Sequence, residues 1–221
     1  MRVISLVPSV TETLSAWGRT PVACTRFCER PDLEHVGGTK NPDLDRVVDL
    51  RPDLVVMDAE ENRREDHAAL VGRGVAVHVL HVRALGDVNP SMALLATRVN
   101  ATWQPFEVGA ATVGHRRAFV PIWRRPWMAL GTPTYGASLL AQLGVATVTR
   151  AEPYPAITLE QASDLQPDVV IAPSEPYPFA ARHRLELERV APTILVDGRD
   201  LFWWGVRTPD ALVRLAHALE Q

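Results

Sequence analysis

Leu44–Val56 reads LDRVVDLRPDLVV and Leu159–Ile171 reads LEQASDLQPDVVI, the same thirteen positions repeated at an offset of 115 residues. Leu, Asp, Leu, Pro, Asp and Val recur in register. Each copy reads as a short helix, a proline stop and a buried strand. Asn41 is the expected N-cap of the first helix, with Pro42 at its first position, and Thr158 with Gln161 forms a capping box in the second. Pro52 and Pro167 end the helices. The runs that follow, Asp-Leu-Val-Val-Met and Asp-Val-Val-Ile-Ala, are apolar without alternation, which suits parallel strands covered on both faces. An offset of this size is too long for a solenoid repeat and fits a duplicated α/β lobe. The two strands are expected to end at Asp58 and Pro173. Ligands of open parallel sheets sit at the carboxyl ends of strands, so the loops that begin there are the first candidates for contact.

With 221 residues, 47% of them hydrophobic, the chain can fill two cores of roughly a hundred residues each. Its net charge is −3 and it has no basic stripe, which argues against a nucleic-acid partner. No run of eighteen apolar residues is present, so no membrane insertion is expected. Met1–Pro8 reads as a strand that starts at once and leaves no room for a secretory leader. The expectation is a cytoplasmic protein as numbered, or a periplasmic or cell-surface one if a leader has been removed.

Outward from the repeats, a strand at Val3–Leu6, a helix over Val10–Trp17 closed by Gly18 and a strand at Pro21–Thr25 open the first lobe, expected over residues 1–102. Phe106, Ala110, Val113 and Arg117 follow helical spacing, and a bridging helix is expected over 103–118. The second lobe then spans 119–221, with its last loop at Asp197–Trp204 and a terminal helix from Pro209 to Leu219.

RVISLVPSVTETLSAWG at Arg2–Gly18, GGTKNPDLDRVVDLRPDLVV at Gly37–Val56, MALGTPTYGASLLAQLG at Met128–Gly144 and TLEQASDLQPDVVIAPSEPYPF at Thr158–Phe179 together give the chain a familiar outline. It resembles the helical-backbone (class III) substrate-binding proteins of ABC importers, the group that includes the cobalamin- and ferric-siderophore-binding proteins, over nearly its whole length. The resemblance implies an α/β fold of two Rossmann-like lobes joined by one bridging α-helix, with a large ring-shaped ligand held in a cleft between them. It implies a monomeric, non-enzymatic solute binder with an importer permease as partner. The segment between Gln104 and Leu130 is shorter than the family's usual bridge and strand by about two helical turns.

A corrin or porphyrin needs flat apolar contacts and a few polar anchors. By position in the resemblance, Tyr154 matches an aromatic residue lining the site of cobalamin binders. The last loop, used for ligand contact in the family, offers Phe202, Trp203 and Trp204 flanked by Asp200 and Arg207. Trp123 and Trp127 fit either a cleft wall or the core. Trp203 and Trp204 are adjacent, so at most one need face a ligand. Thr134 and Tyr135, and Ser174, Glu175 and Tyr177 beyond the second repeat strand, complete the second-lobe set. The first lobe offers Pro8, Ser9, Lys40, Asn41, Asp58, Glu60 and Asn62. Lys40 is a candidate partner for a propionate or phosphate. Asn41 fits a helix cap better than a ligand contact.

A corrinoid ligand is the first expectation, a ferric siderophore or haem the second, and a cytosolic enzyme or a ligand-free interaction protein on the same fold the third. Exposed glutamates dock such proteins onto permease arginines in this family, and Glu60, Glu61 or Glu65 in the first lobe and Glu175 in the second are the candidates, with a plain solvated acidic surface as the favoured alternative. Metal and catalytic signals are weak. His78 and His81 fall on opposite sides of a strand and the other histidines are scattered. Cys24 and Cys28 form a C-x-x-x-C pair with no second Cys or His pair nearby, which fits small half-buried thiols and argues only faintly for zinc or redox chemistry. Ser9 lacks a G-x-S-x-G elbow, and no P-loop, H-E-x-x-H or G-x-G-x-x-G is present, so no catalytic residue or catalytic cofactor is expected.

Overall fold

The computed structural model describes residues 1–109 and 114–220. Its elements run β1 (Val3–Ser5), α1 (Pro8–Ala16), β2 (Ala23–Cys24), β3 (Glu34–His35), α2 (Leu44–Asp49), β4 (Leu54–Asp58), α3 (Arg64–Gly72), β5 (Val77–Leu80) and α4 (Val88–Arg98). They continue with β6 (Arg116–Phe119), β7 (Pro121–Trp123), β8 (Met128–Ala129), α5 (Tyr135–Gln142), β9 (Val145–Thr147), α6 (Leu159–Asp164), β10 (Val169–Pro173), α7 (Arg184–Leu187), β11 (Thr193–Val196), α8 (Gly198–Phe202) and α9 (Thr208–Leu219).

Two compact units result. The first takes Met1–Val82, Gly86–Pro105 and Trp204–Arg207; the second takes Arg83–Leu85, Phe106–Trp203 and the chain from Thr208. In the first, five parallel strands lie in the order β3-β2-β1-β4-β5. In the second, four parallel strands lie in the order β11-β10-β6-β9, beside the antiparallel pair β7-β8. Read from its other edge, the second sheet repeats the β2-β1-β4-β5 path of the first.

The repeat seen in the sequence is this duplication. Helices α2 and α6 and strands β4 and β10 begin and end at positions related by the same offset of 115. The residues before the two prolines, Arg51 (φ 47°) and Gln166 (φ 49°), both close their helix in the left-handed region. A clamp accounts for the recurring aspartate. Asp53 accepts the Arg2 backbone N–H at 2.5 Å while the Arg2 guanidinium donates to Leu50 O at 2.8 Å. Asp168 accepts the Arg117 N–H at 2.7 Å, and the Arg117 guanidinium donates to Leu165 O, also at 2.7 Å. In both units an arginine at the entry of the first strand thus ties down the open carbonyl end of the repeat helix.

Strands β4 and β10 are buried along their whole length, as their unalternated apolar composition requires. Ile4, Leu6, Val55 and Met57 meet Ala23, Val36, Val47 and Leu70 in the first core. Phe119, Val170 and Ala172 meet Ala162, Phe179 and Leu187 in the second.

The bridging helix expected over 103–118 is not found in its described part. Residues 103–109 carry no helix and Arg116–Phe119 is strand β6, while 110–113 lie outside the described residues. Pro105, Gly109 and Gly114 (φ 93°) weigh against helix where the apolar spacing favoured it. Trp103 is instead anchored in the first unit, its indole N–H donating to Asn89 Oδ1 at 3.0 Å and its ring meeting Trp17 edge-on at 6.0 Å. The terminal loop also differs from expectation. Phe202 ends helix α8, and Trp204–Arg207 joins the first unit, apart from the residues around it.

Candidate functional site

The first sheet changes direction between β1 and β4, and a parallel sheet presents its ligand face at the carboxyl ends beside such a switch. Three chain segments are stitched together there. Asp58, the last residue of β4, turns the backbone by accepting the N–H groups of Glu60 (2.8 Å) and Glu61 (3.1 Å) on Oδ1. The side chain of Asn62 accepts the Asp58 N–H at 2.8 Å and donates to Leu6 O beyond β1 (3.2 Å) and to Thr39 O in the loop after β3 (2.9 Å). Lys40 donates to Glu60 O at 2.7 Å, so the ammonium expected to meet a ligand anion also holds the acidic loop in place. Pro8 and Ser9 form the first turn of α1. Ser9 is buried, and its Oγ has no hydrogen-bond partner among the described residues.

Asn41 is not the cap of α2. Asp43 takes that role, accepting the Arg46 N–H at 3.0 Å. The reason is the turn before it: Gly38 and Asn41 exchange backbone hydrogen bonds, and Pro42 pairs with Gly37, which holds Asn41–Pro42 outside the helix. Gly37 allows this turn because its φ is 91° and a Cβ there would lie 2.7 Å from Asn41 O.

Burial raises the pKa of Asp58 above the usual carboxylate value, against the pull of its two accepted N–H bonds, and its Oδ2 has no partner among the described residues. A raised folded pKa means that the native state binds the proton more tightly, so this group's contribution is favourable below the unfolded value near 3.9 and is lost as pH rises. Asp58→Asn keeps an acceptor for the turn and removes the buried charge. It is expected to raise stability at pH 7 by about 1 kcal/mol and to give no gain near pH 3. Urea unfolding at the two pH values checks this, and equal effects at both would refute it.

Sequence reading passed over Arg26 and Phe27, in the turn after β2. Phe27 is 52% exposed, the Arg26 guanidinium stands 5.0 Å above its ring, and both side chains reach Gly38 in the neighbouring loop. A bulky aromatic left exposed in a strand-end loop was the available signal.

In the second unit, Tyr154 is 42% exposed on a loop fastened to β8 by backbone bonds Ala129 N–H to Pro155 O (3.0 Å) and Gly131 N–H to Pro153 O (2.8 Å). Trp123 at the end of β7 is 44% exposed and meets Tyr177 edge-on at 5.8 Å. Tyr177 packs on Phe179, and Trp127 stacks flat on Phe179 at 6.0 Å, so both flank the hydrophobic core. Thr134 caps α5 by accepting the Ala137 N–H. Tyr135 is buried with its hydroxyl 3.0 Å from that of Thr208, and burial raises its pKa. Ser174 is exposed, and its Oγ accepts the Gly198 N–H at 3.0 Å. Glu175 is half-buried with its backbone against Gly198, where a Cβ would lie 2.5 Å from Glu175 N.

Asp200 is buried and held by a fork of two 2.7 Å bonds from Arg214, and Trp203 is buried at 9% exposure. Phe202 is half-buried. In the first unit, Trp204 is buried, and Arg207 is paired with Glu12 through bonds at 2.5 and 2.9 Å. The residues of the last loop are thus spent largely on packing and ion pairs. Trp123 and Tyr154 are the aromatic side chains that the second unit leaves most open. Among the described residues no cluster of three or more His, Cys, Asp or Glu is arranged to hold a metal ion.

The family model described as "Periplasmic binding protein" matches residues 3–107. The vitamin B12-binding protein of Pectobacterium carotovorum is 23% identical over 225 aligned residues, covering 91% of this chain and 81% of the relative. The periplasmic vitamin B12 binding protein BtuF of Vibrio cholerae superposes with a TM-score of 0.79 at 19% identity, covering 99% of this chain and 96% of that one. A periplasmic haem binding protein from Pseudomonas aeruginosa gives 0.82 at 21% identity, covering 99% and 92%. The family model covers just under half of the chain, the relative aligns along most of it at low identity, and the solved structures share its α/β fold.

Proposed function

We propose that the chain is a non-enzymatic solute-binding protein whose ligand is a cobalamin-like corrinoid. The observation that carries this reading is the exposure of large aromatic rings on strand-end loops, Phe27 in the first unit and Trp123 and Tyr154 in the second. Rings presented on strand-end loops suit a flat apolar ligand, because covering each ring face is worth roughly 1–3 kcal/mol. Similarity to vitamin B12-binding relatives puts the corrinoid first. Likeness to haem-binding structures keeps haem as the second reading, with a ferric siderophore beside it. Similarity to periplasmic binding proteins supports delivery to an importer permease, and Glu61 and Glu175, on the loops that follow β4 and β10, are the docking carboxylates we assign.

Spectroscopic titration with cyanocobalamin, haemin and a ferric catecholate side by side tests the reading. Cyanocobalamin is expected to bind most tightly. If none of the three binds better than about 100 μM, roughly −5.5 kcal/mol, the ligand reading fails. Turnover of a bound corrinoid or haem would replace it with an enzyme. Phe27→Ala and Tyr154→Ala are each expected to weaken binding by roughly 1–3 kcal/mol with an unchanged circular dichroism spectrum. Both rings stand on exposed loops, so unchanged affinity in both variants would remove the aromatic surface from the model.

A further inference from the structure

The turn that presents Arg26 and Phe27 is bracketed by two cysteines that the ligand-binding reading leaves unused. Cys24 ends β2 and is fully buried, and Cys28 is 4% exposed. The Cys28 N–H donates to Thr25 O at 3.1 Å, which closes a tight turn between the two cysteines. The Cys24 and Cys28 thiols are close enough to interact electrostatically. The hydroxyls of Thr11 and Thr25 each lie 3.2 Å from the same sulfur. Thr11 has one proton to give and two acceptors within reach, the Cys28 sulfur and Val7 O at 3.1 Å, so it can turn to the sulfur when charge develops there. Two hydroxyls and a second thiol therefore surround one sulfur atom.

Buried structural cysteines sit in apolar surroundings and are inert. A sulfur flanked by two hydroxyls, with a second thiol beside it, has the surroundings of an exchanging pair. The neighbouring Cys24 thiol, joined by the two threonine hydroxyls, outweighs burial and pushes the Cys28 pKa down to about 6, while that of Cys24 is pushed up. Arg26, Phe27 and Glu29 are exposed, so the turn is the part of this site that can open toward a reagent.

We propose that Cys24 and Cys28 form a thiol–disulfide exchange site whose co-reactant is a low-molecular-weight disulfide. The Cys28 thiolate attacks one sulfur of that disulfide, forming a mixed disulfide and expelling one thiolate. Cys24 then gives up its proton and attacks the Cys28 sulfur, closing the Cys24–Cys28 bond and expelling the second thiolate. The two protein sulfurs are oxidised, the small disulfide is reduced, and the two leaving thiolates take up protons from the thiols and solvent. The bond would close a loop around Arg26 and Phe27.

The experiment needs no ligand, so its failure leaves the corrinoid reading standing. Native full-length protein is incubated with oxidised glutathione, thiols are blocked with an alkylating agent, and the chain is cut with trypsin. Cleavage after Arg26 separates the two cysteines, so a disulfide is read directly as two peptides held together until a reductant is added. The expected result is that linked pair, an intact mass lower by two hydrogens, and reversal by excess reduced thiol. Cys24→Ser should stop at a glutathione adduct on Cys28, and Cys28→Ser should form no adduct. In the wild type, the pH dependence of Cys28 alkylation should have its midpoint well below that of an ordinary thiol near 8.5. Two thiols that stay free in the native chain, under conditions that oxidise the same chain in urea, would overturn the proposal. So would an adduct that forms on Cys24 instead of Cys28.

Discussion

Replacing Asn62 with leucine is expected to cost about 4 kcal/mol of folding free energy, because three backbone groups, two buried and one half-buried, each lose a partner worth about 1–3 kcal/mol. One amide side chain serves Leu6 O, Thr39 O and the Asp58 N–H, and leucine, of similar size, can serve none of them. The residue is 7% exposed, so water does not readily take over. The loss falls on the joint between the end of β1, the end of β4 and the loop after β3, which is also the strand-end face of the first unit. Asn62→Asp separates the terms. It keeps an acceptor for Asp58 N–H, loses both donations and sets a carboxylate near two carbonyl oxygens, so it is expected to be as damaging at pH 7 and milder in acid. Urea unfolding of both variants is the measurement. A loss below about 1.5 kcal/mol for Asn62→Leu would mean that the loops relax to find other partners.

Sequence alone reached the duplicated architecture because its signals are local. A proline three residues past a helix end and a run of β-branched residues fix the helix–stop–strand order without reference to anything distant. What completes each repeat is not local. Arg2 lies 48 residues from the carbonyl it clamps and Arg117 lies 48 from its own, and no periodicity announces either. The joint at Asn62 fails the same way: polar residues after β4 were legible as a loop, but the closure onto Leu6 spans 56 positions.

At 103–118 apolar spacing pointed to helix and glycine and proline content pointed away; in the described part the backbone preference prevails. The aromatic candidates of the last loop show a third limit. Trp204 and Arg207 are chemically suited to a ligand, yet Trp204 is buried and Arg207 pairs with Glu12. Gly205 shows how tightly that segment is seated, since with φ at 110° a Cβ would lie 2.3 Å from Thr13 Oγ1. Residue chemistry could nominate these side chains, but only the tertiary placement of the segment decides between water and core.

Gly131→Ala is expected to destabilise the second unit by about 3 kcal/mol or more and to weaken corrinoid binding at the same time. A Cβ at this position would stand 2.0 Å from Glu152 O and 3.0 Å from Thr149 O, both backbone atoms that cannot rotate aside as a side-chain tip can. The loop that would have to yield is seamed to its neighbour on both sides of the glycine. Thr149 Oγ1 donates to Leu130 O at 2.7 Å, Thr132 Oγ1 donates to Arg150 O at 2.9 Å, and Gly131 N–H donates to Pro153 O. Relief of the overlap therefore breaks part of this seam, and Tyr154 moves with the loop because it directly follows Pro153. Two readouts separate the consequences. Unfolding in urea reports the lost seam, and cyanocobalamin titration at a temperature where the variant remains folded reports the displaced ring. Stability lost with affinity unchanged would show that the Tyr154 loop holds the fold and does not hold the ligand. A variant as stable as the wild type would mean that the close approach of Gly131 to Glu152 is not a feature of the folded chain.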